Sequence, residues 1–544
     1  MKAISQTSSK DADIVFYNGK VITIDNRNTI TEAIAIKNNK VLAVGSDNTV
    51  KNYISDDTKI INLNGRSLLP GFIDAHVHLS IYGSLLLDIN CQQSSINSLN
   101  DLFNELKEKT TITEKGKWIR AWSFSEDTVK DKRLPTKEEL DMISKDHPIV
   151  ITRICNHISV ANSKALEIAN INKRTNDPVG GIIEKDSSGE LTGKLVETAH
   201  MMLSEKSSLT NKEMREAHRL ASDTFVKYGI TSIHDAGGYG DGPSILKLMR
   251  QGINSGDIKV RIYSMIGSLT DAEKFIKQMK EKNIRTGDGS ERFKVGPVKL
   301  FLDGSSTGPT IATREPYTND QTNQGILYYN QEQINEILGD AHNRGYQITA
   351  HAQGDKAIEY MLNCIEKSLK NKPKRDHRHR IEHAGIVPQD LLRRMKLLNV
   401  IPIPNPSFIY VNGNKYVDYY GNRVNVMYPA NDYIENNIRM AIGSDAPVVS
   451  CNPMLGIHAV VNRKSHNNKK IGINQRINIL DALRSYTLAG AYASFEEDIK
   501  GSLVPGKLAD LVVLDRDILS VEINEIKEVK VDLTMINGEI VFNK

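Results

Sequence analysis

The chain has 544 residues, 39% of them hydrophobic and 25% charged, a composition that excludes a disordered chain and outgrows a single hydrophobic core. A formal charge of +4 over that length is too small to drive binding to nucleic acid or to an anionic membrane, so small molecules are the expected partners. The four cysteines, Cys91, Cys155, Cys364 and Cys451, form no short pair, and no apolar run approaches the length of a membrane span. The expectation is a cytoplasmic protein with reduced thiols and no signal peptide.

The first sixty-odd residues read as short strands, "DIVFYNGKVITI", "EAIAIKNNKVLAVGS" and "TKIINLNGRSLLPG", whose NG and NN pairs tolerate the positive φ of tight hairpin turns. The same pattern returns in "GSLVPGKLADLVVLDRD" and "VDLTMINGEIVFNK". Neither end can bury a sheet face alone, so residues 1–68 and 496–544 are expected to combine into one β-sandwich domain. Between them lie eight apolar runs that read as strands: Phe72–His76, Ile230–Asp235, Val260–Ile266, Val298–Asp303, Gln347–His351, Arg380–His383, Val400–Pro404 and Met440–Asp445. Most are followed by helical periodicity, as in "KAIEYMLNCIEKSL". Eight such repeats predict an α/β protein with a TIM (β/α)8 barrel over residues 69–495. A doubly wound sheet is disfavoured because no GxGxxG follows the early strands. Residues 84–210 interrupt the pattern after strand one with "KWIRAWSF", "HPIVITRI" and the turn "KDSSGELTG". So long a structureless loop is implausible, and a folded insertion over the barrel mouth is expected.

Catalytic groups of such barrels sit at the C-terminal ends of the strands. Strand one ends "FIDAHVH", and alternation puts His76 and His78 on one side, about 6–7 Å apart along the chain, able to grip one metal ion. The plainer reading makes one of them a core residue and the other a loop cap. Strand four, "GPVKLFLDG", buries Lys299, an ammonium that is costly without a partner or a modification. Strands five, six and eight end "TAHAQGD", "RIEHA" and "AIGSDAP", presenting His351, His383 and Asp445. Four imidazoles and a carboxylate suit a borderline divalent cation such as Zn2+ in a catalytic site.

The ordered set PGFIDAHVH, VKLFLDGS, AHAQGD, RIEHA, GSDAP and GKLADLVVLD resembles the metal-dependent amidohydrolase superfamily over nearly the whole chain, specifically its N-substituted formamide deformylase-like branch. The resemblance implies a binuclear centre, two Zn2+ per chain. In it His76 and His78 bind the more buried ion, an N6-carboxylated Lys299 bridges, His351 and His383 bind the second ion, and Asp445 touches the first. An unmodified Lys299 would leave a mononuclear site. The implied activity is cleavage of an amide or formamide C–N bond, other than a peptide bond, by a metal-activated hydroxide. Asp445 is then the catalytic residue that accepts the water proton and passes it to the amine. The alternative within the superfamily is a heterocycle deaminase, from whose HxxE-type segment "HAQGDKAIE" departs. A non-catalytic scaffold is a remote third reading, because every expected ligand position is filled. A small-molecule amide substrate and a homodimer complete the expectation.

Further residues are candidates for contact with substrate. His157, in "RICNHISVANSKAL", resembles a family stretch, or simply bonds a helix start. Glu197, in "LTGKLVETA", matches another, or compensates a helix dipole. Asp235 ends strand two and faces the pocket. Asp303 and Ser306 occupy the loop "LDGSSTGPT", and Trp122 either lines an aromatic wall or anchors the core of the insertion. The run "KPKRDHRHR" reads as a solvated lead-in to strand six, since its own cations repel a metal.

Overall fold

The computed structural model describes residues 11–91, 95–154, 157–238 and 242–544. Cys155 lies outside them, while Cys91, Cys364 and Cys451 are buried and in no disulfide. The chain divides into two compact units, Met1–Ile81 with Ala221–Lys544, and Tyr82–Leu220. Among the described residues no helix is long and apolar enough to cross a membrane.

The first unit is built on seven parallel strands: β1 Phe72–Val77, β2 Ile230–Asp235, β3 Arg261–Ile266, β4 Phe293–Phe301, β5 Ile348–Ala352, β6 Arg380–His383 and β7 Ile401–Ile403. They hydrogen-bond in chain order from β1 to β7. Most of their residues are buried, as a parallel sheet with both faces covered requires. The expected eighth strand, Met440–Asp445, is not a regular strand. It nevertheless fills the gap between β7 and β1: Ala441 N–H donates to Pro402 O, Gly443 N–H to Pro404 O, Ala75 N–H to Ile442 O and Asp445 N–H to His76 O, at 2.7–3.2 Å. The physical reason for the irregularity lies in β7 and the residue after it. Pro402 and Pro404 offer carbonyls to the closing segment but have no N–H to return, so that ladder runs one way only. The segment also passes very close to β1, since a Cβ at Gly443 would lie 2.5 Å from the Cβ of His76.

The two chain ends share a sheet. Its strand order is Glu539–Asn543, Val531–Ile536, Leu511–Leu514, Ser67–Pro70, Lys20–Ile22 and Ile30–Thr31. A second sheet orders Lys40–Gly45, Ala33–Lys37, Ile14–Tyr17 and Lys59–Asn62. One apolar cluster takes Phe16, Ile34 and Ile36 from the second sheet and Leu68, Leu511 and Met535 from the first. The hairpin between the last two strands turns on Asn537 and Gly538, both at positive φ, as the NG signal requires. The barrel is tied to this sheet by a buried bidentate pair, Arg261 Nε and Nη2 to Asp510 at 2.6 and 3.0 Å. Arg261→Met should therefore leave Asp510 as an uncompensated buried charge and cost about 3–5 kcal/mol in urea unfolding. A loss below 1 kcal/mol would refute that role.

The second unit has its own six-stranded sheet, ordered Gly181–Lys185, Leu191–Glu197, Ile158–Ala161, Ile149–Arg153, Ile119–Phe124 and Ile89–Asn90. "KDSSGELTG" makes the antiparallel hairpin between the first two. Helix Lys137–Ile143 starts on a reciprocal cap of Thr136 and Glu139.

The basic run leading into β6 is solvated only in part: Lys372, Arg375 and Asp376 are exposed, but His377, His379 and Arg380 are buried. Their imidazoles are satisfied without charge. His379 accepts from Ile348 N–H and donates to His342, which donates to Lys372 O; His377 accepts from His379 N–H and donates to Leu398 O. Burial pushes all three pKa values below the usual 6.5. The unfolded chain therefore takes up more protons than the fold as pH drops through 6.5, so stability is present above that value and is lost below it. Chemical unfolding at pH near 7.5 and near 5.5 should show this loss. His342→Gln, which keeps an acceptor and a donor but does not titrate, should lose less, and an unchanged pH dependence would dismiss the relay.

Candidate metal centre and active site

The C-terminal ends of the barrel strands bring six of the expected residues together. His76 and His78 leave β1 on one side, and Asp445 Oδ1 lies 3.4 and 3.2 Å from their Nε2 atoms. Ring centroids of His76 and His383 are 4.7 Å apart, and those of His351 and His383 4.4 Å. Lys299 Nζ is buried beneath them, 3.4 Å from His76 Nε2, 3.3 Å from Ala236 O and 4.5 Å above the Phe301 ring. Burial lowers its pKa to about 8 against the opposing pull of Glu382, Asp445 and Asp235. Burial alone would raise the Asp445 pKa, yet the surrounding His78, His383 and Lys299 side chains hold it below the ordinary carboxylate value.

Two side chains reach this point only through unusual backbone. His383 and Ala384 have φ of 69° and 44°, and Asp445 has 63°. These left-handed conformations are strained for such residues and persist where the surrounding fold over-determines them. At β6 the bend is what lets Glu382 and His383, adjacent in sequence, both face the centre.

The donor set fits a divalent cation. His76, His78 and Asp445 offer ligand atoms within 4.8 Å of one another. The far nitrogen of each ring is already engaged: His76 Nδ1 with Glu382 at 2.5 Å, His78 Nδ1 with Gly237 O at 2.5 Å and His383 Nδ1 with Asn405 Oδ1 at 2.7 Å. Each such acceptor fixes a tautomer whose bare Nε2 is left for a metal. His351 differs, because its Nε2 lies on Gly304 O at 2.8 Å and only Nδ1 remains for a cation.

The other candidates are distributed differently. Asp235 is buried and accepts from Leu79 N–H and Ser264 Oγ–H, at 3.0 and 3.1 Å. Asp303, its pKa pushed up to about 7 by burial, accepts from the backbone of Ala312, Gln353 and Gly354. Ser306 turns to the Tyr416 hydroxyl at 2.8 Å, and its neighbour Ser305 lines the cavity instead. Trp122, His157 and Glu197 belong to the second unit. There Trp122 donates to Leu85 O at 3.2 Å, and the exposed His157 and Glu197 pair with each other at 2.8 Å. Glu197 stands just before the helix Thr198–Lys206 and not in its first turn.

Sequence reasoning missed Glu382, Arg380, Asn405 and Asp74. The first two carried a readable signal: in "RIEH" alternation points two opposite charges into the interior of a parallel barrel, which is tolerable only if they pair. They do, with Arg380 Nε and Nη2 on Glu382 at 2.8 and 2.9 Å. Asp74 accepts from His76 N–H and Ser444 N–H and so ties the end of β1 to the closing segment.

A cavity of about 910 Å³ opens on the centre, lined by His78, His351, His383 and Asp445 among others. Glu382→Gln should lower divalent-metal affinity about 10–100-fold in chelator competition, as loss of an outer partner does. Unchanged affinity would remove Glu382 from the centre.

The model of the family described as Amidohydrolase family matches residues 59–542. The putative amidohydrolase YtcJ of Bacillus subtilis is 28% identical, over 97% of this chain and 99% of its own. The N-substituted formamide deformylase of Arthrobacter pascens is 25% identical, over 98% of both chains. Among solved structures, an uncharacterized metal-dependent hydrolase from Pyrococcus horikoshii superposes with a TM-score of 0.77 at 26% identity, covering 94% of this chain and 99% of that one.

Proposed function

Because this chain belongs to the amidohydrolase family, and is thus a metal-dependent hydrolase of C–N bonds other than peptide bonds, we propose that its substrate is a small-molecule amide or formamide. The observation that carries this reading is the Asp445 carboxylate held between two imidazole Nε2 atoms at the floor of an open cavity. His76, His78 and Asp445 would hold a divalent cation there, which would supply Lewis acidity toward the amide carbonyl and toward water.

The chain's own groups do the rest. Asp445 is ionised at neutral pH and buried, so it accepts the proton of the attacking water and delivers it to the departing amine nitrogen. His76, His78 and His383 are held by Glu382, Gly237 and Asn405 so that they need not reorganise. Two Zn2+ and an N6-carboxylated Lys299 are part of the proposal. It is supported by an amine whose pKa is lowered to about 8, leaving a free-base fraction able to add to CO2. The terminal sheets are taken as a β-sandwich companion to the barrel. A cytoplasmic location is supported by three buried cysteines that form no disulfide.

Purified protein screened against N-formyl, N-acyl and cyclic amides should hydrolyse one of these classes, and Asp445→Asn should lose about 100-fold or more in kcat. Full activity in that variant would overturn the assignment. Elemental analysis should find nearly two divalent ions per chain, with at least one lost in Lys299→Ala; full occupancy there would exclude the bridging role.

A further inference from the structure

Above its floor, the cavity wall carries two more carboxylates, Asp303 and Glu273, and among the described residues no lysine or arginine lines it. Asp303 is buried, with three backbone N–H groups directed at it. Glu273 is different. It is exposed, in the first turn of helix Ala272–Glu281, and it meets the Tyr329 hydroxyl, whose pKa is pushed up to about 12 by burial and by Glu273 itself. A first-turn glutamate ordinarily serves the helix dipole. This one faces a cavity that also presents Tyr328, Tyr329, Phe301 and Phe408. Tyr328 is positioned by the barrel: its N–H donates to Leu302 O at 2.9 Å, and a bridge joins Asp303 to Leu327 beside it.

These features sort charge. Aromatic faces and a carboxylate both attract an organic cation, and the attraction grows as water is displaced. A carboxylated ligand arm finds no cationic side chain on the wall and meets Glu273 instead, an uncompensated like charge. Resting on the reading of the centre as an amide hydrolase, we propose that the cavity selects amides bearing a protonated or quaternary amine, seated against Glu273 and the Tyr328 and Tyr329 rings, and rejects amides bearing a carboxylate. The centre acts on the amide group, while the wall chooses the arm.

Two measurements test this. Three amides with one acyl group, whose arms end in an ammonium, an uncharged isostere or a carboxylate, are compared by kcat/KM. The ammonium substrate should lead the neutral one by about tenfold, the carboxylate should trail both, and Glu273→Gln should bring the first ratio close to one. Separately, choline and its uncharged tert-butyl isostere are titrated calorimetrically into the metal-loaded enzyme, since a quaternary ammonium cannot ligate a metal. Choline should bind about tenfold more tightly than the isostere in the wild type and lose that advantage in Glu273→Gln. Equal binding of the two probes by the wild type, or hydrolysis indifferent to the charge of the arm, overturns the inference and leaves amide hydrolysis standing. Choline binding that depends on Glu273, in a protein that cleaves no amide, supports the wall and overturns the hydrolytic reading.

Discussion

Inside the barrel, His76, Glu382, Arg380 and His234 stand in one hydrogen-bonded line, and the geometry of the centre depends on it. Arg380 grips both oxygens of Glu382, bonds Ala75 O in β1 and meets His234 Nδ1 at 2.8 Å. Thr349 of β5 donates to the same carboxylate at 2.7 Å. The network therefore spans β1, β2, β5 and β6 with charges that are expensive to bury singly and tolerable only as a set. Because Glu382 is full, it takes the Nδ1 proton of His76 in one orientation, and the bare Nε2 has one direction left to face.

The same logic explains the irregular backbone around the centre. A regular strand would put neighbouring residues on opposite faces, so Glu382 and His383 could not both serve. Positive φ at His383 and Ala384 breaks the alternation there, and at Asp445 it turns the carboxylate onto the two imidazoles of β1. The strain is held by neighbours: Asn405 bonds both His383 and Gly443 O, and Asp74 accepts from His76 N–H and Ser444 N–H. Pro402 and Pro404 and the close passage of Gly443 along His76 leave the closing segment without a regular ladder, which gives it freedom to bend at Asp445.

The wall of the cavity follows a different principle from its floor. The floor is built from strand ends and is locked by buried hydrogen bonds. Much of the wall comes from the segments that follow β3 and β4, where Glu273 and the two tyrosines meet. A barrel of this kind keeps its chemistry on the rigid part and its selectivity on the loops.

Legibility divided along the same lines. Six residues on five segments could be read because each is a chemically costly side chain within or at the end of an apolar run: His76, His78, Lys299, His351, His383 and Asp445. The bounds of β2 and β6 were likewise readable from periodicity and flanking turns. The supporting partners were not, since Asn405 looks like any loop asparagine and Asp74 like a polar interruption. Nor were the fates of Ser306 and the "DHRHR" segment, because local charge says nothing about which neighbour arrives to cover it.

By itself, then, the sequence determined the alternation of strands and helices, the hairpin turns of the ends and which imidazoles and carboxylate were candidates to meet at the barrel mouth, all of which depend on residues near one another in the chain. Only the tertiary structure decided which nitrogen of each imidazole is free, which carboxylate is ionised, and that residues 440–445 close the barrel without forming a strand. Those outcomes turn on contacts between segments tens to hundreds of residues apart, and on a burial that no local pattern encodes.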